Sequence, residues 1–283
     1  MKIIHSVPEM QNWAFEQKRS GRVIGLIPTM GFLHQGHLSL IDAARKNGAD
    51  VIAVSIFVNP TQFGPTEDYE CYPRDFEHDR TLCEEKSVDV IFAPSPSDMY
   101  HPDRSTWVVE ETVSRGLCAE TRPTHFRGVT TVVAKLFNAA LPDLAVFGQK
   151  DAQQAAVIRR MVRDLNFPIR IVTAPLVREA DGLAMSSRNK YLSAEERSRA
   201  LVLFRALSMA VKLLETGAET DLAEVTRVMK EMIVDAGGRP DYVEYRDAET
   251  MEPPVPGTKV LTFAVAAYFG KTRLIDNMTV HLP

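Results

Sequence analysis

The chain has 283 residues, 45% of them hydrophobic, with 33 basic and 37 acidic side chains for a net charge of −4. That suits one large domain or two with a sizeable core, and the slightly acidic balance weighs against nucleic acid as the main partner. No apolar run reaches the roughly 18 residues of a membrane span, no leader-type run follows Met1-Lys2-Ile3-Ile4-His5, and Cys71, Cys83 and Cys118 form no C-x-x-C pair, so they read as reduced thiols of a cytoplasmic protein.

Ser6, with Pro8 and Glu9 behind it, predicts the start of a helix that ends near Gly21. Residues 23–27 predict an inner strand. Leu38, Ile41, Ala44 and Arg45 predict a helix ending at Gly48. Residues 51–58 are apolar but for Ser55, as parallel strands covered on both faces are, and Asn59-Pro60 stops them. The first sixty residues therefore read helix, strand, helix, strand, a right-handed βαβ unit. Glu67 and Asp68 are read either as approaching a metal–nucleotide complex or, the reading preferred, as solvated, and the charged stretch 75–86 reads as a surface helix. Residues 88–93 predict another strand, and Val129, Val132, Val133, Leu136 and Phe137 recur at helical spacing. A short strand at 143–147, a helix from Gly148 to about Leu165 and a strand at 169–172 follow. Alternating strands and helices predict an α/β, Rossmann-like open parallel sheet with helices on both faces.

The pattern changes near residue 180. Ser193-Ala194-Glu195-Glu196 is a capping box ahead of Leu201, Phe204, Leu207, Val211 and Leu214. Asp221 and Glu224 open a second helix. Two β-type runs, 242–246 and 260–267, flank the Pro253-Pro254-Val255-Pro256-Gly257 turn. The expected organisation is a large domain over 1–180 and a smaller C-terminal α+β domain over 181–283.

Chemistry concentrates where predicted strands meet helices. Residues 23–40 run from strand through a turn with Pro28, Gly31 and Gly36 into a helix, carrying His34 and His37. A helix start offers free backbone N–H groups to an anion, and imidazoles three residues apart face one ligand. No carboxylate or thiol stands close by, so phosphate rather than metal is expected there. Gly148-Gln149-Lys150-Asp151-Ala152-Gln153-Gln154 opens a second such junction, with Lys150 suited to phosphate and Asp151 to a cap or ribose hydroxyls. The loop Asp181-Gly182-Leu183-Ala184-Met185-Ser186-Ser187-Arg188-Asn189 sets two hydroxyls beside a guanidinium, a donor cluster for phosphate on an expected mobile lid. Gln62, just past the clearest strand, faces the crevice at the carboxyl edge of the sheet, where its amide suits a small hydroxylated acid. Arg127 is read either as an anion ligand or as a surface pair.

Five segments together resemble the pantoate–β-alanine ligase family of the nucleotidylyltransferase superfamily. They are Pro28-Thr29-Met30-Gly31 with Leu33-His34-Gln35-Gly36-His37, then Phe57-Val58-Asn59-Pro60-Thr61-Gln62-Phe63, His125-Phe126-Arg127-Gly128-Val129, Gly148 through Gln154, and Asp181 through Asn189. The histidine motif alone would indicate only the superfamily. The resemblance implies an ATP-dependent ligase with Mg²⁺ that joins (R)-pantoate to β-alanine through a pantoyl adenylate, releasing AMP and pyrophosphate. It implies an ATP site at Met30, Gly31, Phe32, Leu33, His34, Gln35, Gly36 and His37, at Gly148, Gln149, Lys150 and Asp151, at Val177, and at Met185, Ser186, Ser187 and Arg188. His37 is the implied proton donor, with His34, Lys150 and Arg188 also catalytic. Gln62 and Gln154 are implied to hold pantoate, and Gln62 also β-alanine. No residues are implied as metal ligands. A cytoplasmic homodimer with the C-terminal domain as a lid, and without nucleic-acid or membrane partners, is implied as well. Thr124 stands where the family commonly has Gly, and Asp103 follows Pro102 where Gly is frequent.

Overall fold

The computed structural model describes residues 1–65, 67–218 and 221–282. Its first half is built on β1 (Lys2–Ile4), α1 (Val7–Arg19), β2 (Ile24–Thr29), α2 (Gln35–Lys46), β3 (Val51–Ile56), α3 (Phe76–Glu85) and β4 (Val90–Phe92). Two one-turn helices follow, α4 (Pro96–Met99) and α5 (Cys118–Thr121), then α6 (His125–Ala140), β5 (Leu144–Gly148), α7 (Ala152–Asp164) and β6 (Arg170–Ala174). All strand pairs in this sheet are parallel, in the order β1-β4-β3-β2-β5-β6. The four inner strands, β4, β3, β2 and β5, are buried on both faces. Met10, Trp13, Val133, Phe137 and Ile158 of α1, α6 and α7 pack one side. Leu38, Ile41 and Ala44 of α2 and Cys83 of α3 pack the other. Fully burying one such large side chain contributes about 1.5–3 kcal/mol.

The chain moves outward from β2 to β3 and β4, and outward the other way from β5 to β6. The order thus reverses between β2 and β5, and a crevice opens beyond the carboxyl ends of those two strands. The histidine turn leaves the end of β2 and the Lys150 turn leaves the end of β5, so the topology alone brings them together.

Later come α8 (Ala194–Ala200), α9 (Val202–Glu215), α10 (Leu222–Asp235), β7 (Arg239–Asp247), β8 (Val260–Phe269) and β9 (Thr272–His281). The three strands form an antiparallel sheet in chain order, with α9 and α10 packed on it through Leu203, Leu207, Val225 and Met229. Ser193 caps α8 in a capping box and Asp221 caps α10. A fourth cluster, including Leu117, Phe126, Val157, Met251 and Ala264, joins the second sheet to α6 and α7.

The fold class expected from the sequence is the one observed, with three local corrections. The chain begins with a strand, β1, because the short Lys2-Ile3-Ile4 run pairs with β4 at the sheet edge. The second sheet has a third strand, β9, which the sequence pattern does not announce. The stretch 75–86 is helical but not a plain surface helix: Asp79 and Cys83, one turn apart, point inward and are buried. Thr124, the residue N-terminal to α6, has right-handed backbone (φ −99°), which a β-branched side chain accommodates.

Candidate active site

The turn after β2 is held by a carboxylate from below. Gly31 and Phe32 both take left-handed backbone, at φ +83° and +51°. That conformation is costly for Phe32, and the Asp79 carboxylate compensates by accepting the N–H groups of Phe32 at 2.8 Å and Leu33 at 2.6 Å. Burial pushes the Asp79 carboxyl up, opposed by those two bonds. Lys190 lies over the Phe32 ring, 3.9 Å from its centroid.

His34 then serves as the cap residue of α2, and His37 completes a capping box made of two imidazoles. His34 Nδ1 accepts the Gly36 N–H at 3.1 Å, and His37 Nδ1 accepts the His34 N–H at 3.3 Å. The anion site is therefore not simply the bare N–H groups expected at a helix start. Two of those donors are already taken by the rings, and the donors passed forward to a ligand are the Nε2–H groups of the Nδ1-accepting tautomers. Burial, with Lys150 nearby, lowers the His34 pKa to about 4. Burial, then His34 and Lys150, lowers His37 well below its usual value. Both rings are thus neutral donors near neutral pH. Gly36 is needed at this spot because a Cβ there would come within 2.9 Å of the His34 ring.

Gln62 ends a 3₁₀ turn, Pro60–Gln62, that follows β3. Its Oε1 accepts from Asn59 Nδ2 at 2.9 Å, which turns the Nε2 donor towards Met30 Sδ and the cleft. Buried Asn59 is fixed in turn by Tyr100, whose hydroxyl donates to Asn59 Oδ1 at 2.8 Å. The Gln62 carbonyl accepts from His125 Nδ1 at 3.0 Å, and burial followed by Arg122 lowers the His125 pKa to about 3. Gly128 of α6 lets the helix approach this turn: a Cβ would lie 2.4 Å from the Thr61 carbonyl oxygen.

The Gly148–Asp151 turn is braced from the second sheet. Asn277 of β9 donates through Nδ2 to the carbonyls of Gln149 at 2.9 Å and Lys150 at 3.0 Å. Beside it, buried Asp276 receives a bidentate pair from Arg178 at 2.6 and 2.9 Å. Ser187 and Arg188 lie in a 3₁₀ turn, Ser187–Tyr191. Glu67 and Asp68, expected in solvent, are ion-paired instead, Glu67 with Arg122 and Asp68 with Arg188. Burial raises the Asp68 carboxyl, and the Arg188 bonds outweigh it, so its pKa ends below the usual value.

One cleft collects most of the sequence-predicted residues: Met30, His34, Gly36, His37, Gln62, Gly148, Lys150, Asp151, Gln154, Val177, Met185, Ser186, Ser187 and Arg188 all line it. Gly31, Phe32, Leu33, Gln35 and Gln149 do not. The first three shape the turn, Gln35 is exposed, and Gln149 reaches Asn277. Arg127 is exposed and stacks on Trp107, 4.5 Å from its ring centroid. The same cleft also has an apolar lining, with Phe57, Val129, Val132, Val133, Leu136 and Phe147. Asp79, Asn277 and Asp276 had no signal in the sequence. Asn59 had one, since it sits in the Gln62 motif, but its role as the orienter of Gln62 is visible only in three dimensions.

The family model described as pantoate-beta-alanine ligase matches residues 2–279. The chain is 53% identical over 281 residues to a pantothenate synthetase of Thermotoga petrophila, covering 98% of this chain and 99% of that protein. It is 52% identical to one of Heliobacterium modesticaldum over the full length of both. Its fold matches the crystal structure of pantothenate synthetase from Thermus thermophilus with a TM-score of 0.90 at 43% identity, covering 98% of this chain and 99% of that one. It also matches pantoate-beta-alanine ligase of Francisella tularensis complexed with beta-gamma ATP and beta-alanine, with a TM-score of 0.82 at 32% identity over 98% and 97% of the chains.

Proposed function

The chain belongs to the pantoate–β-alanine ligase family, and from that premise we propose that the cleft at the β2/β5 reversal is where its reaction takes place. The enzyme condenses (R)-pantoate and β-alanine to pantothenate at the expense of ATP. A carboxylate is a poor electrophile towards an amine until one oxygen becomes a leaving group. Pantoate's carboxylate oxygen attacks the α-phosphorus of ATP and expels pyrophosphate. The β-alanine amine then attacks the acyl carbon, the C–O bond to AMP breaks, and the nitrogen gives up a proton.

The first step brings two anions together, so it needs preorganised donors. His34 and His37 supply neutral Nε2–H groups, and His37 donates a hydrogen bond from Nε2–H to the α-phosphoryl oxygen as charge builds there, keeping its proton. Lys150, Ser186, Ser187 and Arg188 hold the remaining phosphate oxygens, Asp151 meets the ribose, and Val177 meets the base. Gln62 and Gln154 hold pantoate's polar groups, with its two methyls against Val132, Val133 and Leu136. The observation that carries this reading is the shared orientation of the histidines: both Nδ1 atoms are spent on backbone N–H groups, leaving both Nε2 atoms for a ligand.

Among the described residues no three His, Cys, Asp or Glu side chains converge as a metal site. Mg²⁺, which the ligase reading implies, would be carried on the triphosphate and would neutralise charge on the departing pyrophosphate, with few ligands asked of the protein. Residues 1–180 form the nucleotide- and pantoate-binding domain, and residues 181–283 the lid that keeps water from the adenylate. The protein works as a cytoplasmic homodimer. In support, all three cysteines are free and, among the described residues, no helix is long and apolar enough to cross a membrane. The stretch at 104–111, which carries exposed Val109, is tied to α6 through Val108 and through Trp107, on which Arg127 stacks.

A pyrophosphate-release assay tests the order of steps. Pantoate and ATP alone should release one pyrophosphate per site, and AMP should appear only when β-alanine is added. Pyrophosphate release that requires β-alanine would overturn the adenylate route.

A further inference from the structure

On the ligase reading above, β-alanine brings a carboxylate of its own, two methylenes from the attacking amine. That charge has to be received in the cleft by a cation not already committed to phosphate. Among the described residues, four Lys or Arg side chains line the cleft: Arg122, Lys150, Arg188 and Arg273. Lys150 and Arg188 belong to the phosphate set. Arg273 is bound to Asp241 at 2.9 and 2.7 Å, and that partner's side chain is only 4% exposed. The pair ties β9 to β7 and is part of the second sheet's interior.

Arg122 is arranged differently. Its Nε and Nη2 both reach the Glu67 carboxylate at 2.6 Å, the fork-to-fork geometry of carboxylate recognition. Glu67 lies in the loop after Gly64, on no helix or strand. The guanidinium itself is braced independently of Glu67: Nη1 meets His125 Nε2 at 3.2 Å and Nη2 donates to the Gln62 carbonyl at 3.4 Å. A preoriented carboxylate receptor thus sits against the backbone of the residue whose side-chain amide faces the acid pocket.

We propose that Arg122 receives the carboxylate of β-alanine, which takes the position that the Glu67 carboxylate holds. Exchange of one carboxylate for another keeps the guanidinium compensated throughout, so no unpaired charge is left in the cleft. The braced arginine stays and the loop carboxylate yields. The amine then projects along the Gln62 side chain towards the acyl carbon. Arg122 is in this way the residue that selects a β-amino acid over a simple amine.

The experiment compares β-alanine with 3-aminopropanol, which has the same amine and spacing but no carboxylate. In Arg122→Gln the KM for β-alanine should rise about 100-fold, as when one partner of a partly buried charge pair is removed, while 3-aminopropanol should react as it does with the parent enzyme. Pyrophosphate release from pantoate and ATP alone, which reads the Arg122 brace on Gln62, should change far less than the β-alanine KM, and an equal change in both overturns the proposal. An unchanged β-alanine KM, or an equal loss for both amines, overturns the proposal. Because Arg122 also braces Gln62, Glu67→Gln provides a second decision. It loosens the competing carboxylate and should lower the β-alanine KM several-fold with pantoate and ATP unaffected; a higher β-alanine KM overturns the exchange. Failure of the parent enzyme to release pyrophosphate would count against the ligase reading instead.

Discussion

His37 Nδ1 accepts the backbone N–H of His34 at 3.3 Å, and the two rings stand with centroids 4.1 Å apart. Each imidazole is thereby a helix cap whose tautomer is set by the backbone, and on the proposed reading each also donates to phosphate. Replacing His37 with Ala removes one preorganised donor and leaves the His34 N–H without its acceptor. Single-turnover adenylate formation should fall on the order of 100-fold or more, the scale for losing one such donor. Lys150→Ala should fall by a similar factor. Rapid-quench measurement of pyrophosphate with pantoate and ATP checks both, and near-parent rates would remove these residues from the phosphate set.

The same histidines set an acid limit on stability. His34, at about 4, His125, at about 3, and His37, well below its usual value, are all harder to protonate in the folded chain than in the unfolded one. Below about pH 6.5 the unfolded chain binds protons that the folded chain refuses, so stability falls as pH falls. The loss continues until the folded groups titrate, near 4 for His34 and near 3 for His125. Each such histidine contributes a slope of about 1.4 kcal/mol per pH unit once the pH is well below the unfolded value. Urea midpoints between pH 7.5 and 5, above the carboxylate range, should decline steadily, and a flat profile there would contradict neutral buried rings.

The sequence displayed the parallel sheet because its inner strands are apolar on both faces, and it pointed to the candidate site because strand-to-helix junctions carry unusual residues. β9 was hidden for a physical reason. Asp276 and Asn277 interrupt its apolar pattern, and these are the residues that pair with Arg178 and brace Gln149 and Lys150. Polar residues that tie a second sheet to a site look, in one dimension, like the end of a strand. Asp79 was hidden likewise, as one acidic residue in a charged helix. Glu67 and Asp68 looked solvated because their partners, Arg122 and Arg188, are more than fifty positions away.

Asp79 gives the next test. Asp79→Ala leaves the Phe32 and Leu33 N–H groups without their acceptor, at about 1–3 kcal/mol for each buried donor. The left-handed backbone at Phe32 also loses its restraint. Asp79→Asn retains an acceptor oxygen and should be milder. Denaturant unfolding should rank parent, Asn, Ala in falling stability, and ATP affinity measured by calorimetry should follow the same rank. Equal stability of parent and Ala would mean that the turn does not depend on this carboxylate.

Gly128 sets helix propensity against packing. Taken as a residue in the interior of α6, Gly→Ala should stabilise the chain by about 1 kcal/mol. The surroundings argue the other way. A Cβ at 128 would meet the Thr61 carbonyl oxygen at 2.4 Å, the Thr61 carbonyl carbon at 2.6 Å and Gln62 Cα at 2.7 Å, all backbone atoms with no flexible end to move. The turn that carries Gln62 must shift away from α6, and Asn59, which bonds both Gln62 Oε1 at 2.9 Å and the Gly128 carbonyl at 3.2 Å, cannot keep both partners. Overpacking of this kind costs about 1–3 kcal/mol, more than the propensity gain. A displacement of about 1 Å at a positioning group costs on the order of 100-fold in rate. Gly128→Ala should therefore lower the melting temperature, raise the KM for pantoate and cut the rate of adenylation, while ATP affinity stays near the parent value. A variant that is more stable than the parent and binds pantoate as well would show that α6 and the Gln62 turn are not in this close contact.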